Sequence, residues 1–529
     1  MPPALRALSL TLFALSVLLL GWTTPLHIDE WVYPFLAERI TAHPLDPYGG
    51  EAVSFGRVVP VFEGVPHPPG FPILLALLGG DAPAYPAHAR WILLPFLLLF
   101  LASLRPLARF FRIDAGWGSS FLLFSPAFFL SAQRLMTDFP SLSLFHGALL
   151  LLLLPSPRPC WGAVLLGGAI FMRYTFLLLL PLFLLVARRR CAVRGRAALL
   201  LMLLSLLPVL LWNGFSWVRY GETHFGLHLR ILAAGGEGIV WRLGALPTFL
   251  GGVLVPGAFL LGNGRKRLVV AFIVGLLLFA GVAPRLDPPL GRKGVLLAAL
   301  LCTNAVTFVE AAVAEIQSVR QGKGGEGALL LAWGGLGLAA ALVSFVSARA
   351  LLPALYPLTA LLLRRFEEKG GGRRGLGLAL LVSAGVSLLL GFSDRSLAEA
   401  HADFPRRLAA APPGTPIWFT GEWGFRVAMT KAGFSPLVDA PGTPLPQTGD
   451  RIVVAEGAAP APIPSPLQGH LRFLRTEVVP SKFPLLLMNE RAHAGFYSAG
   501  WGCLPFAPAG GEALERFTWY RVEGRNTTP

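Results

Sequence analysis

In the stretch "TTPLHIDEWVYPFLAERI", Thr23 to Ile40, two carboxylates, Asp29 and Glu30, stand side by side eight residues past an apolar run that ends at Gly21. Charge is costly in hydrocarbon, so acids at a membrane border mark places where water, a cation or a reaction needs them. A carboxylate in such a place can serve as a general base. Neighbouring residues on a helix project about 100° apart, so at most one of the pair can face a common site. The structural alternative sets both acids in the first turn of an interfacial helix, "DEWVYPFLAERI", where they complement its dipole.

Three further groups have side chains suited to chemistry. In "PHPPGFP", His67 precedes two prolines that stiffen the start of a short apolar run, and its imidazole is a candidate substrate contact. In "SAQRLMTDFPSLSLF", Arg134 and Asp138 are four residues apart, the spacing of a helical ion pair. Arg173 in "AIFMRYTFLLLLPL" and Arg349 in "SFVSARALLPALYPL" are lone cations at the ends of apolar segments. Snorkelling to the interface explains such arginines, and so does binding a phosphate at headgroup level, where a guanidinium offers a planar donor fork. No phosphate-binding loop, nucleotide fingerprint, HExxH or G-x-S-x-G motif stands in a supporting context. The sequon at Asn526 lies in the last four residues.

The elements that must hold these residues follow from composition. Of 529 residues, 54% are hydrophobic and 14% charged, with mean hydropathy +0.61, against roughly 25% charged in soluble proteins. The chain reads as a polytopic α-helical membrane protein. The net charge of +16 does not imply nucleic acid, because Arg and Lys fall in short clusters between apolar runs and not on one soluble face. Four cysteines, three of them in or beside apolar segments and Cys503 in the polar tail, indicate neither a disulfide framework nor a metal cluster.

A helix needs roughly 20 apolar residues to cross ~30 Å of hydrocarbon, and by that measure about thirteen crossings precede residue 393. Leu5 to Gly21 is expected to be a retained first transmembrane helix. Clusters at Arg105/Arg109/Arg112, Arg188–Arg190, Arg265–Arg267, Arg320/Lys323 and Arg364/Arg365 with Lys369, Arg373 and Arg374 all fall on one side if the helices alternate, and that side is the expected cytoplasm. The stretch "RLDPPLGRK", Arg285 to Lys293, then falls outside despite its three positive charges. A long first outer loop is expected over about 23–86. The transmembrane region closes at 392, and 393–529 is expected to be a soluble α/β domain, with strand-like "TPIWFT" and "DRIVVAE" alternating with helical "GEWGFRVAMTKAG". Loop and tail share the outer side.

Taken in order, "HIDEWVY", "HPPGFPILLAL", "RLMTDFPSLSL", "MRYTFLLLLPLFLL" and "ARALLPALYPL" resemble the GT-C superfamily of membrane glycosyltransferases. They are most similar to its family 39-type members, relatives of protein O-mannosyltransferases and of the lipid A aminoarabinose transferase. The resemblance implies an inverting transferase at the outer face of a bacterial cytoplasmic membrane, with a periplasmic C-terminal domain. The implied donor is a sugar on a polyprenyl phosphate, and the acceptor is a lipid, glycan or protein. It puts the catalytic carboxylate on Asp29, with Glu30 beside it to position the acceptor or bind a cation. Arg349 or Arg173 would hold the donor phosphate, and Arg134, Asp138, His67 and Tyr33 complete the candidate substrate-binding set. No cofactor is implied with certainty, and a divalent cation is left open. The sequence departs from the common pattern at Arg173, where lysine is frequent, and in "SARAL", where an aromatic often follows the arginine. Two other readings are a secondary transporter, for which no repeated halves are visible, and an inactive envelope assembly subunit of the same fold.

Overall fold

A computed structural model of the chain describes residues 1–79, 89–234, 238–254, 256–257, 260, 265–322, 325–410 and 414–524. The sequon at Asn526, Lys323 and the expected end of the outer loop near Pro86 lie outside them.

Apolar sequence becomes helix wherever it is long enough to satisfy its own backbone. Among the described residues seven helices have the length and composition to cross a membrane: Pro3–Gly21, Arg90–Phe110, Arg196–Tyr220, Lys266–Arg285, Arg292–Arg320, Gly325–Val343 and Arg373–Ala409. Three shorter apolar helices are Asp138–Leu153, Pro159–Met172 and Ile239–Val253. Three more passages are broken. Ala115–Leu123 is followed by Pro126–Ser131, a 3-10 turn Tyr174–Leu179 runs into Leu180–Cys191, and a 3-10 turn Arg349–Leu351 runs into Leu352–Glu368. A short helix is tolerated where protein surrounds it. Asp138–Leu153 is buried along most of its length, whereas Arg196–Tyr220 exposes Leu199, Leu203, Leu207 and Leu211 in the manner of a lipid-facing surface.

Contacts between loops sort the ends of the bundle. At one end the N-terminal amine meets Asp114 at 3.0 Å, Arg112 meets Glu326 at 3.3 Å, Arg364 meets Glu315 at 3.2 Å, and Arg189 donates to the Gly325 carbonyl at 2.6 Å. Three of the basic clusters, those of Arg112, Arg189 and Arg364, therefore gather at this end. At the other end His493 of the tail donates to the carbonyl of Pro288, which puts the basic stretch Arg285 to Lys293 on the tail's side.

The first outer loop holds a 3-10 turn, Ile28–Trp31, a helix, Val32–Ala42, and a hairpin, Glu51–Ser54 paired antiparallel with Arg57–Pro60. Its two-residue turn has positive φ at both Phe55 (47°) and Gly56 (70°), the backbone that lets two strands keep their right-handed twist. The tail is α/β, as expected. Five strands run in the order Ser435–Pro436, Ile417–Thr420, Arg451–Ala455, Ala513–Val522, Leu471–Pro480, parallel at the first two junctions and antiparallel at the rest.

The junction between the two regions differs from the expected break at 392/393. The last apolar helix continues through it to Ala409, a 37-residue element whose far half carries Phe404 stacked on Phe517 of the sheet at 3.7 Å. The apolar run ends near Phe392, but nothing in "SDRSLAEAHADF" breaks a helix. The tail also returns to the bundle: Ala348 donates to the Phe496 carbonyl at 2.9 Å, Ala499 to Val346 at 2.8 Å and the Trp241 indole to Ala499 at 3.0 Å. Phe496, Tyr497 and Leu504 belong to the same buried cluster as the helices.

Candidate active site

The turn Ile28–Trp31 assigns the two acids to opposite tasks. The Glu30 side chain is fully buried and accepts from Arg90 Nε at 3.1 Å and Nη2 at 2.9 Å, from the Leu135 amide at 2.7 Å and from the His27 amide at 2.9 Å. Arg90, at the head of the second long helix, also donates to the carbonyls of Gly21 (2.8 Å), Pro25 (3.2 Å) and Thr24. This pair staples the chain from the end of the first helix to the turn. It leaves no carboxylate edge of Glu30 for a cation or an acceptor. Asp29, one residue earlier, projects the other way with its side chain 32% exposed, into a cavity of about 430 Å³.

Arg349 meets Asp29 there. It stands in the 3-10 turn before Leu352–Glu368, is 7% exposed, and donates from Nη2 to Asp29 Oδ2 at 2.7 Å and from Nη1 to Met136 Sδ at 3.2 Å. Its Nε has no hydrogen-bond partner among the described residues. Tyr33 and His67 line the same cavity with their rings stacked at 6.4 Å, and the Tyr33 hydroxyl lies 3.4 Å from Thr137 Oγ1. Burial pushes the Tyr33 phenol up to about 12. Burial, aided by the neighbouring Arg173, holds the His67 imidazole well below its usual range, so it is neutral at pH 7.

Arg134 and Asp138 are not partners. Residues 132–137 are turns and bends and the helix begins only at Asp138, so helical spacing does not apply across the pair. Asp138 pairs with Arg173 Nη1 at 2.9 Å, both buried, and the two share a narrow cleft with Arg349 and Thr175. Arg173 reaches it because its backbone is extended (φ −155°) where helix Pro159–Met172 ends. Arg134 instead joins Asp394, which also accepts from Tyr497 at 3.0 Å, and lies 3.9 Å from Glu30. It belongs to the buried charge network behind the turn and does not line the cavity.

Among the described residues no three His, Cys, Asp or Glu converge as metal ligands. The cavity and the cleft that shares Arg349 bring together Asp29, Arg349, Tyr33, His67 and the Asp138–Arg173 pair at the ends of broken helices.

No family model and no curated protein sequence matches the chain. Solved structures that resemble it include ArnT from Cupriavidus metallidurans bound to undecaprenyl phosphate (15% identical, 86% of this chain and 94% of that one, TM-score 0.40). Another is the oligosaccharyltransferase AglB from Archaeoglobus fulgidus in complex with an inhibitory peptide and a dolichol-phosphate (12%, 82% and 64%, 0.41). A third is the arabinofuranosyltransferase AftD from Mycobacteria (16%, 98% and 41%, 0.35). All three are membrane glycosyltransferases of the GT-C type to which the sequence motifs point. At 12–16% identity and TM-scores below 0.5 they assign no activity to this chain.

The tail also contributes to the cavity wall, beside the outer-loop hairpin. Glu422 and Trp423 line it together with Asp29, and Arg426 pairs with Glu422 at 3.0 Å while its guanidinium sits 4.2 Å above the Trp31 ring. Burial raises the Glu422 carboxyl above its usual range, against the pull of Arg426 and of the Phe55 and Gly56 amides that donate to it. The fit is close: a Cβ on Gly424 would stand 2.2 Å from the Leu26 carbonyl oxygen. Arg90, Asp394, Tyr497, Glu422 and Trp423 were not singled out from the sequence. Arg90 carries the same signal as Arg173, a lone cation at the end of an apolar run; the others find their partners only through long-range packing.

Proposed function

We propose that the chain is an inverting glycosyltransferase that moves a sugar from a polyprenyl-phosphate donor to an acceptor hydroxyl at the outer membrane face. The observation that carries this reading is the meeting of Asp29 with Arg349 at 2.7 Å in one cavity, with Arg173 in the cleft that shares Arg349. The order of motifs along the sequence supports it independently.

In this reading the acceptor oxygen attacks the anomeric carbon from the face opposite the phosphate. The new C–O bond forms as the bond to the phosphate oxygen breaks, which inverts the centre. The acceptor proton passes to the Asp29 carboxylate. The departing polyprenyl phosphate gains a negative charge, and charge-assisted hydrogen bonds from Arg349 and Arg173 stabilise it in a site with little water. Glu30 and Arg90 position the turn, and Tyr33 and His67 give neutral polar contacts that do not compete for the phosphate. Glu422, Trp423 and Trp31 form the acceptor-side wall. The basic loops at the far end of the bundle support a cytoplasmic side there, and in this reading the site and the tail lie on the outer, periplasmic side of a bacterial inner membrane.

The reading is tested with purified protein and a labelled sugar on a polyprenyl phosphate. Transfer to a lipid, glycan or protein fraction with inverted anomeric configuration is the expected result. Retention of configuration, or transport of an intact solute without transfer, would overturn it.

A further inference from the structure

Arg349 is asked to hold two anions. It already holds Asp29 through Nη2, and the proposed donor brings a phosphate to the same guanidinium. Of its other nitrogens, Nη1 faces the Met136 thioether, a weak acceptor, and Nε has no partner among the described residues. A guanidinium grips phosphate through a fork of two nitrogens, and both forks it offers include Nη2. A phosphate seated on either fork therefore shares a donor nitrogen with the Asp29 carboxylate and comes up against its charge.

The two partners differ in freedom. Arg349 is buried in a turn pinned by the adjoining amide of Ala348 on the Phe496 carbonyl, whereas the Asp29 side chain is about one-third exposed to the cavity. When the two anions compete, Asp29 moves.

We infer that the Asp29–Arg349 pair is an internal lock on the base: the donor phosphate takes over Arg349, and Asp29, released into the cavity, becomes available to the acceptor. This rests on the glycosyltransferase reading and adds to it an order of events. Donor binds first, and the acceptor is activated only afterwards. An acceptor that arrives alone finds the carboxylate engaged, which keeps the base from acting before a leaving group is in place.

The test is binding of farnesyl phosphate in detergent to wild type, Asp29→Asn, Arg349→Ala and the double variant. The expected pattern is counterintuitive for an active-site lesion. Asp29→Asn binds at least about fivefold more tightly than wild type, in the range of ordinary coupling between sites. Arg349→Ala binds more weakly, and Asp29→Asn adds nothing in the Arg349→Ala background. Asp29→Asn binding no tighter than wild type would overturn the inference while leaving the phosphate site intact. A gain that persists without Arg349 would also overturn it, since that is repulsion through space and not a shared anchor. Arg349→Ala binding as well as wild type would remove the glycosyltransferase reading of Arg349 together with the inference.

A second measurement needs no variant. Carbodiimide labelling of Asp29, read by mass spectrometry on the wild-type protein, should rise with farnesyl phosphate and not with farnesol. Labelling that stays constant or falls at saturating farnesyl phosphate would contradict release of the carboxylate.

Discussion

Glu30 and Arg90 form a two-pronged ion pair at 2.9–3.1 Å with both side chains essentially out of solvent, one residue from the acid that faces the cavity. Adjacent carboxylates thus divide positioning from chemistry. Breaking a buried pair from one side leaves an uncompensated charge, so Glu30→Ala should destabilise the protein by about 3–5 kcal/mol. Asp29→Asn, at a partly exposed position, should cost far less. Denaturant titration of both variants in detergent checks the ordering, and equal losses would mean that Glu30 is not the staple.

Arg349→Ala should reduce use of the lipid-phosphate donor more than Arg349→Lys, because lysine keeps the charge and loses the fork. Arg173→Ala should show a smaller effect, since Arg173 lines only the narrow cleft whereas Arg349 lines both the cleft and the main cavity. Donor titrations of initial rate at saturating acceptor distinguish the three. Unchanged half-saturation in all of them would make these arginines helix-end anchors only.

Gly424→Val should separate the tail helix from the turn at Leu26, where even a Cβ would fall 2.2 Å from a backbone oxygen. The expected outcome is a raised half-saturation for acceptor with farnesyl phosphate binding intact. Weaker acceptor use and weaker farnesyl phosphate binding together would show that the tail supports the whole site and not its acceptor side.

Three imidazoles around the outer loop are held neutral. Burial lowers His67 well below its usual range and pushes His224 and His228 down to about 4. In the unfolded chain such groups take up protons near pH 6.5. A depressed folded-state value means stability that is present above about 6.5 and lost as pH falls toward 4. Unfolding free energy measured from pH 7.5 to 4.5 should therefore decline, and His228→Gln should flatten the decline. A pH-independent stability would contradict neutral burial of these rings.

Much of this was legible in the residues themselves. The adjacent acids Asp29 and Glu30 and the lone Arg349 are marked by the cost of a charge at a membrane border, while the choice of Asp29 over Glu30 came from the family resemblance and not from spacing. The outer loop and the α/β tail show in composition and in strand-like runs. The partnerships were not legible. Arg134 and Asp138 have helical spacing but straddle a helix start, so Arg134 turns to Asp394 and Asp138 to Arg173. Arg90 and Glu30 are 60 residues apart, and Glu422 reaches the cavity from the far side of the chain. Local periodicity carries no information about which distant charge a buried one will meet. The continuation of the last helix past 392/393 to Ala409 was not legible for the opposite reason, since the end of hydrophobicity is not the end of helix.

The most direct test of the central claim is single-turnover transfer by Asp29→Asn in purified form. The substitution keeps shape and removes the base, and a positioned base is worth about 10²- to 10⁴-fold. The account predicts a loss of that size in the rate of sugar transfer, with farnesyl phosphate still bound. Turnover within a few-fold of wild type would show that Asp29 is not the base, and the site would have to be reassigned.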